Sequence, residues 1–189
     1  PKDVQALHKS GADAGHSFQI LESVMAVNEA QKTRLFHPMQ EPFGGDLNGI
    51  KVALWGLAFK PETDDIREAP ALYMVEALTA AGAEVVAFDP EAMDNVRERL
   101  GDRIQYADRA MDAIVDADCL LICTEWAAFR TPDFDDMEAR VKGKVIFDGR
   151  NLYENNPFGG ISCIAQKLCR FVAFPKIKPD CFLGRIAPT

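Results

Sequence analysis

Over the first 36 residues the apolar positions fall at helical spacing, first Val4 and Leu7, then Ile20, Leu21, Val24 and Val27, so each set occupies one helix face. Gly15 stands between the two sets and predicts a break. The stretch that follows, Phe36 to Gly45, contains Pro38, Pro42, Gly44 and Gly45 and reads as a linker. From Ile50 the period shortens. Short apolar runs at 50–55, 84–89, 104–106, 118–123 and 144–147 predict strands, and the segments between them at 70–81, 91–100, 111–115 and 134–141 predict helices. Pro70 suits the first position of its helix and Gly82 its end. Strands alternating with helices predict an α/β fold, a doubly wound parallel sheet, here preceded by helices.

Ligands of such sheets bind beyond the carboxyl ends of the strands, at the topological switch. The loops after Trp55, Phe88, Cys123 and Phe147 are therefore where chemistry is expected. The first of them, Gly56 to Pro70, sits where a dinucleotide fold keeps its phosphate loop, but it has only Gly56 of the G-x-G-x-x-G fingerprint. It supplies cations instead. Lys60 could neutralise a pyrophosphate as a point charge and Arg67 could grip it as a fork. Equally, the two could pair with Asp64, Asp65 or Glu68 on a solvated turn, and spacing alone does not separate these readings. Asp89 ends the second strand, where an acid can hold a ribose hydroxyl, but the missing glycines argue against a plain dinucleotide module.

Composition narrows the class. Hydrophobic content of 48% and charged content of 26% suit a soluble globular protein, and 189 residues suit one domain with an appendage. No apolar run approaches the roughly 20 residues that cross a bilayer, so no membrane partner is expected. A net charge of −8 and a pI near 4.9 would repel a nucleic acid, yet local cations and helix N-termini still permit a small anion. Cys119 and Cys123 lie in a run that reads as a buried strand, where free thiols are common. Cys163, Cys169 and Cys181 lack the close pairs of a zinc site, and an odd total argues against a disulfide framework. These features predict no metal and a reducing, cytoplasmic setting.

Three blocks carry a resemblance. Trp55-Gly-Leu-Ala-Phe-Lys-Pro-Glu-Thr-Asp-Asp-Ile-Arg-Glu-Ala-Pro70 is followed by Ile122-Cys-Thr-Glu-Trp126 with Phe129, Arg130 and Pro132-Asp-Phe134, and then by Lys142-Gly-Lys-Val-Ile-Phe-Asp-Gly-Arg-Asn-Leu-Tyr153. Together they resemble the C-terminal UDP-binding domain of the UDP-glucose/GDP-mannose dehydrogenase family. The start, Pro1-Lys-Asp-Val-Gln-Ala-Leu7, is similar to the segment that follows that family's catalytic cysteine in G-x-C-x-P-K-D. The resemblance covers about residues 1–154. It implies the end of a central helical, dimerising region at 1–36, a linker at 37–48, a Rossmann-like UDP-sugar-binding domain at 49–154 and an atypical tail at 155–189.

What the resemblance implies for function is specific. The family oxidises a sugar's primary alcohol twice, using two NAD and water, which would turn UDP-glucose into UDP-glucuronate. Phe59 and Lys60 would line the nucleotide-sugar site, and Arg150 would contact the sugar nucleotide, in family architecture across to the neighbouring active site. Lys2 and Arg67 would touch NAD held by another domain. Asp3 would sit near the reacting centre and orient water, a role open to a carboxylate; on position alone it is a helix N-terminal acid favoured by the dipole. The cysteine that captures the aldehyde would lie two residues before Pro1, so this stretch alone would be inactive. The apolar face of residues 17–36 fits a homodimer seam or a contact within the protein.

Alternatives remain at this level. A sister dehydrogenase acting on GDP-mannose or a UDP-N-acetylhexosamine would carry the same blocks, and a non-catalytic nucleotide-binding module would need only some of them. After Tyr153 the likeness to the family's usual short strand and Ile-Gly-Arg-like end fails. The tail carries Lys167, Arg170, Lys176, Lys178 and Arg185 against the single acid Asp180. Such a reversal of charge reads as a frameshifted or misjoined end, or as a lineage-specific extension.

Overall fold

The computed structural model describes residues 2–143, 145–153 and 162–163. Two helices come first, α1 (Lys2–Asp13) and α2 (Gln19–Lys32), with Gly15 in the left-handed region between them. A short helix, α3 (Phe36–Gln40), and a single 3-10 turn (Glu41–Phe43) occupy the stretch whose prolines and glycines suggested a linker. Pro38 and Pro42 each fall in a first turn, where the missing N–H has no intrahelical partner to lose. Met39 and Leu47, on either side of that turn, are fully buried, so this stretch is packed rather than loose.

β1 (Lys51–Trp55), α4 (Pro70–Ala80), β2 (Glu84–Phe88), α5 (Met93–Leu100), β3 (Gln105–Tyr106), α6 (Ala110–Ala113), β4 (Cys119–Ile122), α7 (Phe134–Arg140), β5 (Val145–Asp148) and β6 (Ser162–Cys163) follow. The six strands form one sheet in the order β3-β2-β1-β4-β5-β6, every neighbouring pair parallel. This is the doubly wound α/β arrangement that the strand–helix alternation predicts, and its chain reverses direction across the sheet between β1 and β4. Those central strands are covered on both faces, which is why Val52–Trp55 and Cys119–Ile122 read as unbroken apolar runs. Cys119 and Cys123 are buried and unbridged, and burial pushes each thiol up to about 12, so neither is a ready nucleophile at neutral pH.

One carboxylate organises the switch point. Asp89, 1% exposed at the end of β2, accepts five hydrogen bonds among the described residues. Its Oδ2 takes the amides of Leu57 (2.6 Å) and Ala58 (3.0 Å) and the indole Nε1 of Trp126 (3.1 Å). Its Oδ1 takes the amides of Glu91 (2.9 Å) and Ala92 (2.8 Å). The last two explain why α5 begins at Met93 and not at Glu91, because a side chain caps the turn ahead of the helix. A single residue thus ties the loop after β1, the loop after β4 and the start of α5 together.

Two residues of the tail are described. Ser162–Cys163 adds a sixth strand beside β5, with Val145 opposite Ser162 and Ile146 opposite Cys163. The readings made of the remaining residues of the 155–189 segment lie outside the described residues.

Gly56 lies where the β1 and β4 loops touch. Its φ is +90°, and a Cβ there would come within 2.5 Å of Thr124 Cβ and 2.7 Å of the Thr124 amide nitrogen. Gly56→Ala should therefore lower stability by about 1–3 kcal/mol through strain at this point, read as a lower urea midpoint at unchanged slope; an unchanged midpoint would mean that the two loops are free to separate.

Candidate functional site

The loop after β1 folds onto itself before it meets any ligand. The Gly56 amide donates to Phe88 O at 2.9 Å, those of Leu57 and Ala58 to Asp89, and that of Phe59 to Asp65 O at 2.8 Å. Thr124 Oγ1 donates to Ala58 O at 2.6 Å. Four successive N–H groups that a phosphate loop would turn outward are therefore spent inside the protein. Asp89 is equally engaged, so it does not hold a ribose hydroxyl. The backbone of residues 56–59 therefore offers no anion cradle, and recognition there falls to side chains.

At the carboxyl ends of β1, β4 and β5, a crevice of about 810 Å³ opens between the sheet domain and helices α1 and α2. Phe59 and Arg150 line it from the sheet side, with Cys123 and Gly149 beneath. Val4 and His8 of α1 and Lys32 of α2 line the opposite side. Lys60, next to Phe59, is exposed and does not line the crevice. Arg67 is exposed as well, and Asp65 takes its Nε at 2.8 Å and its Nη2 at 2.6 Å. For Arg67 the pairing open from the sequence is the one the structure contains. Lys2 opens α1, and Asp3 lies exposed in the first turn of that helix. The structure thus brings Phe59 and Arg150 together in one crevice and leaves Lys60, Arg67 and Asp3 outside its lining.

Arg150 is held from two directions. Asp148, buried at the end of β5, accepts the Arg150 amide at 2.9 Å and the Tyr153 amide at 3.0 Å, which fixes the turn through Asn151, whose φ is +54°. The Arg150 side chain donates through Nε to Glu125 Oε2. Burial pushes the Glu125 carboxyl up, but the Arg150 hydrogen bond and charge outweigh it and hold the group below its ordinary range.

Sequence reasoning missed a second cluster. Lys32, at the end of α2, contacts Glu29 (2.6 Å), Glu68 (2.7 Å) and the Tyr73 hydroxyl (3.0 Å), with its ammonium 4.1 Å from the centre of the Tyr73 ring. Glu68 adopts a left-handed φ of +59°. The only local signal is the Glu29–Lys32 spacing on one helix face; the partner 36 residues away leaves no trace in the sequence. The Lys32 ammonium holds the Glu68 carboxyl below its ordinary value, with burial opposing. For Lys32 burial acts downward, and the three hydrogen bonds reverse it and raise the group.

The family model described as the UDP binding domain of the UDP-glucose/GDP-mannose dehydrogenase family matches residues 53–155. A UDP-glucose 6-dehydrogenase of Pseudomonas aeruginosa is 45% identical over 175 residues, which cover 90% of this chain and 39% of that relative. The chain therefore spans about two fifths of the length of a relative it matches. A UDP-glucose dehydrogenase structure from the hyperthermophilic archaeon Pyrobaculum islandicum superposes with a TM-score of 0.74 at 31% identity, over 86% of this chain and 36% of the other. A UDP-N-acetyl-mannosamine dehydrogenase from Staphylococcus aureus gives 0.63 at 26% identity, over 78% and 33%.

The Lys32–Glu68 contact has a defined pH window. A depressed Glu68 adds stability above its ordinary value of 4.5 and loses it as pH falls through the lower folded value. A raised Lys32 adds stability below 10.5 and loses it only above the higher folded value. Around neutral pH the contact is complete. Glu68→Gln at pH 7 should lower the protection of the α2 amides relative to an unstructured chain while leaving β1 and β4 unchanged, and acidifying the unaltered protein below pH 4 should lower α2 protection, referred to the unstructured chain at that pH, as well. Equal α2 exchange in both proteins at pH 7 would show that the contact does not hold the helix.

Proposed function

The chain belongs to the UDP-glucose/GDP-mannose dehydrogenase family, and on that premise we propose that it is the nucleotide-sugar-binding part of an NAD-dependent UDP-glucose 6-dehydrogenase. The observation that carries this reading is the meeting of Phe59 and Arg150 in one crevice at the carboxyl ends of β1 and β5, beside a loop whose first four amides are already bonded. An anion entering there is gripped by cationic side chains, and the guanidinium fork of Arg150 suits a phosphate. Phe59 supplies an apolar wall. Lys60, exposed next to Phe59, brings its ammonium to the pyrophosphate as a point-charge contact.

UDP-glucose is the substrate this reading favours, supported by the 45% identity to a UDP-glucose 6-dehydrogenase. The sister reading, a UDP-N-acetylhexosamine or GDP-mannose enzyme, shares the fold. Calorimetry with UDP-glucose, a UDP-N-acetylhexosamine and GDP-mannose separates them, and tighter binding of either rival overturns the choice of sugar.

NAD supplies the hydride acceptor when bound. The residues here fit only its margin: the first four amides of the β1 loop are bonded within the protein and Asp89 is engaged, so the cofactor's own cradle lies in another domain. Arg67 is exposed, with two nitrogens on Asp65, and reaches the cofactor from the side, with Lys2 from the start of α1. Asp3, exposed in the first turn of α1, orients the water that completes the reaction.

Among the described residues no helix is long and apolar enough to cross a membrane, and the buried free thiols support a reducing, cytoplasmic setting. On α2, Ile20 is 79% and Val27 56% exposed, and Val24 lies beside them. We propose that this face is the seam of a homodimer.

In the complete enzyme, Lys60→Ala and Arg150→Ala should each weaken turnover at low UDP-glucose 10-fold or more, the loss expected when a charge-assisted contact of about 1.5–3 kcal/mol disappears. Unchanged kinetics in both variants would refute the assignment. Val27→Glu with Ile20→Glu should convert a dimer to monomers by sedimentation, and a wild-type protein that is already monomeric at all concentrations removes the seam.

A further inference from the structure

Arg150 ends a long side chain with many rotamers, and a ligand that must first immobilise it binds more weakly. The structure contains a device that removes this cost. Glu125 stands between two residues that are themselves pinned: Thr124, buried and donating to Ala58 O at 2.6 Å, and Trp126, whose indole donates to Asp89 at 3.1 Å. The backbone carrying Glu125 is therefore set by the core. Its carboxylate takes Arg150 through Nε, and no described hydrogen bond uses the two terminal nitrogens. Arg150, but not Glu125, lines the crevice.

We propose that Glu125 is the positioning residue for Arg150, fixing the guanidinium by its inner nitrogen so that the outer pair is presented, already oriented, to the phosphate of a nucleotide sugar. The inference rests on the reading of the crevice as the nucleotide-sugar site and adds to it a residue that itself touches no ligand. Glu125 also keeps the arginine's charge locally balanced while the crevice is open, which lowers the cost of holding a guanidinium one-third exposed there. A bidentate clamp on the same guanidinium would leave fewer donors for a ligand. Arg67, held by Asp65 through Nε and Nη2, is the contrasting case within this chain.

The test is a double-mutant cycle in the complete enzyme, with UDP-glucose as the varied substrate. Glu125→Gln should raise KM about fivefold, the weight of one newly mobile side chain, with kcat within twofold and the thermal midpoint unchanged. Glu125→Asp, too short to reach Nε, should behave alike and answers the question should the glutamine variant fold poorly. In an Arg150→Ala background neither change should raise KM further. A KM unmoved by Glu125→Gln and Glu125→Asp, while Arg150→Ala raises it, overturns the positioning role and leaves the nucleotide-sugar reading intact. Additive losses in the cycle overturn it as well. A KM indifferent to Arg150→Ala removes the reading beneath it.

Discussion

Five hydrogen bonds to one buried carboxylate decide what the rest of this domain does. Asp89 draws the amides of Leu57 and Ala58 inward, takes the indole of Trp126 across the switch point, and starts α5. A buried carboxylate is tolerable only when its lone pairs are filled, and here they are filled by groups from three separate loops. The loops after β1 and β4 consequently behave as one piece, pressed together at Gly56 and Thr124. Residues 56–59 of the first loop and Thr124 to Trp126 of the second are thus set by the interior.

That constraint passes recognition from the main chain to side chains. With the amides of residues 56–59 bonded inside the protein, an anion at the carboxyl ends of the strands meets Arg150, Phe59 and the nearby Lys60. Four cations at this end of the sheet differ in their arrangement. Arg150 is held by Glu125, Arg67 by Asp65, and Lys32 by Glu29 and Glu68, while Lys60 is exposed and unpaired among the described residues. Within an acidic chain the crevice lining itself is balanced, Lys32, Arg34 and Arg150 standing against Glu22, Glu29 and Glu68.

The architecture was legible because its period was clean. β1, β2 and β4 fall within one residue of the runs that predicted them, since strands buried on both faces leave an unbroken apolar signature. Pro70 and Gly82 bounded α4 correctly for local reasons. The stretch around Pro38 and Pro42 misled because a proline in a first turn looks, in sequence, like a proline that breaks a helix. Asp89 stands where an acid can hold a ribose hydroxyl, a reading the missing glycines argued against, and the direction of its side chain assigns it to the interior. Arg67 had two open readings that spacing did not separate, and the structure contains its ion pair with Asp65. The Lys32–Glu68 bridge was invisible because both partners look like ordinary surface charges until the fold brings them together. Phe59 and Arg150 were legible only through the resemblance, and their shared crevice is a product of topology.

The order of the sheet also sets a sequence of events during synthesis. β1 finds β2 after one helix, but its other edge stays bare until β4 emerges, and contacts such as the Lys51 amide to Asp118 span 67 residues. Loops that long close slowly, and an apolar strand with an open edge is prone to join another chain meanwhile. Arg150 leaves the ribosome later still. A nascent chain therefore passes through a stage in which half a sheet exists with no binding crevice, and the domain's exposure to aggregation is greatest before it has any ligand to steady it.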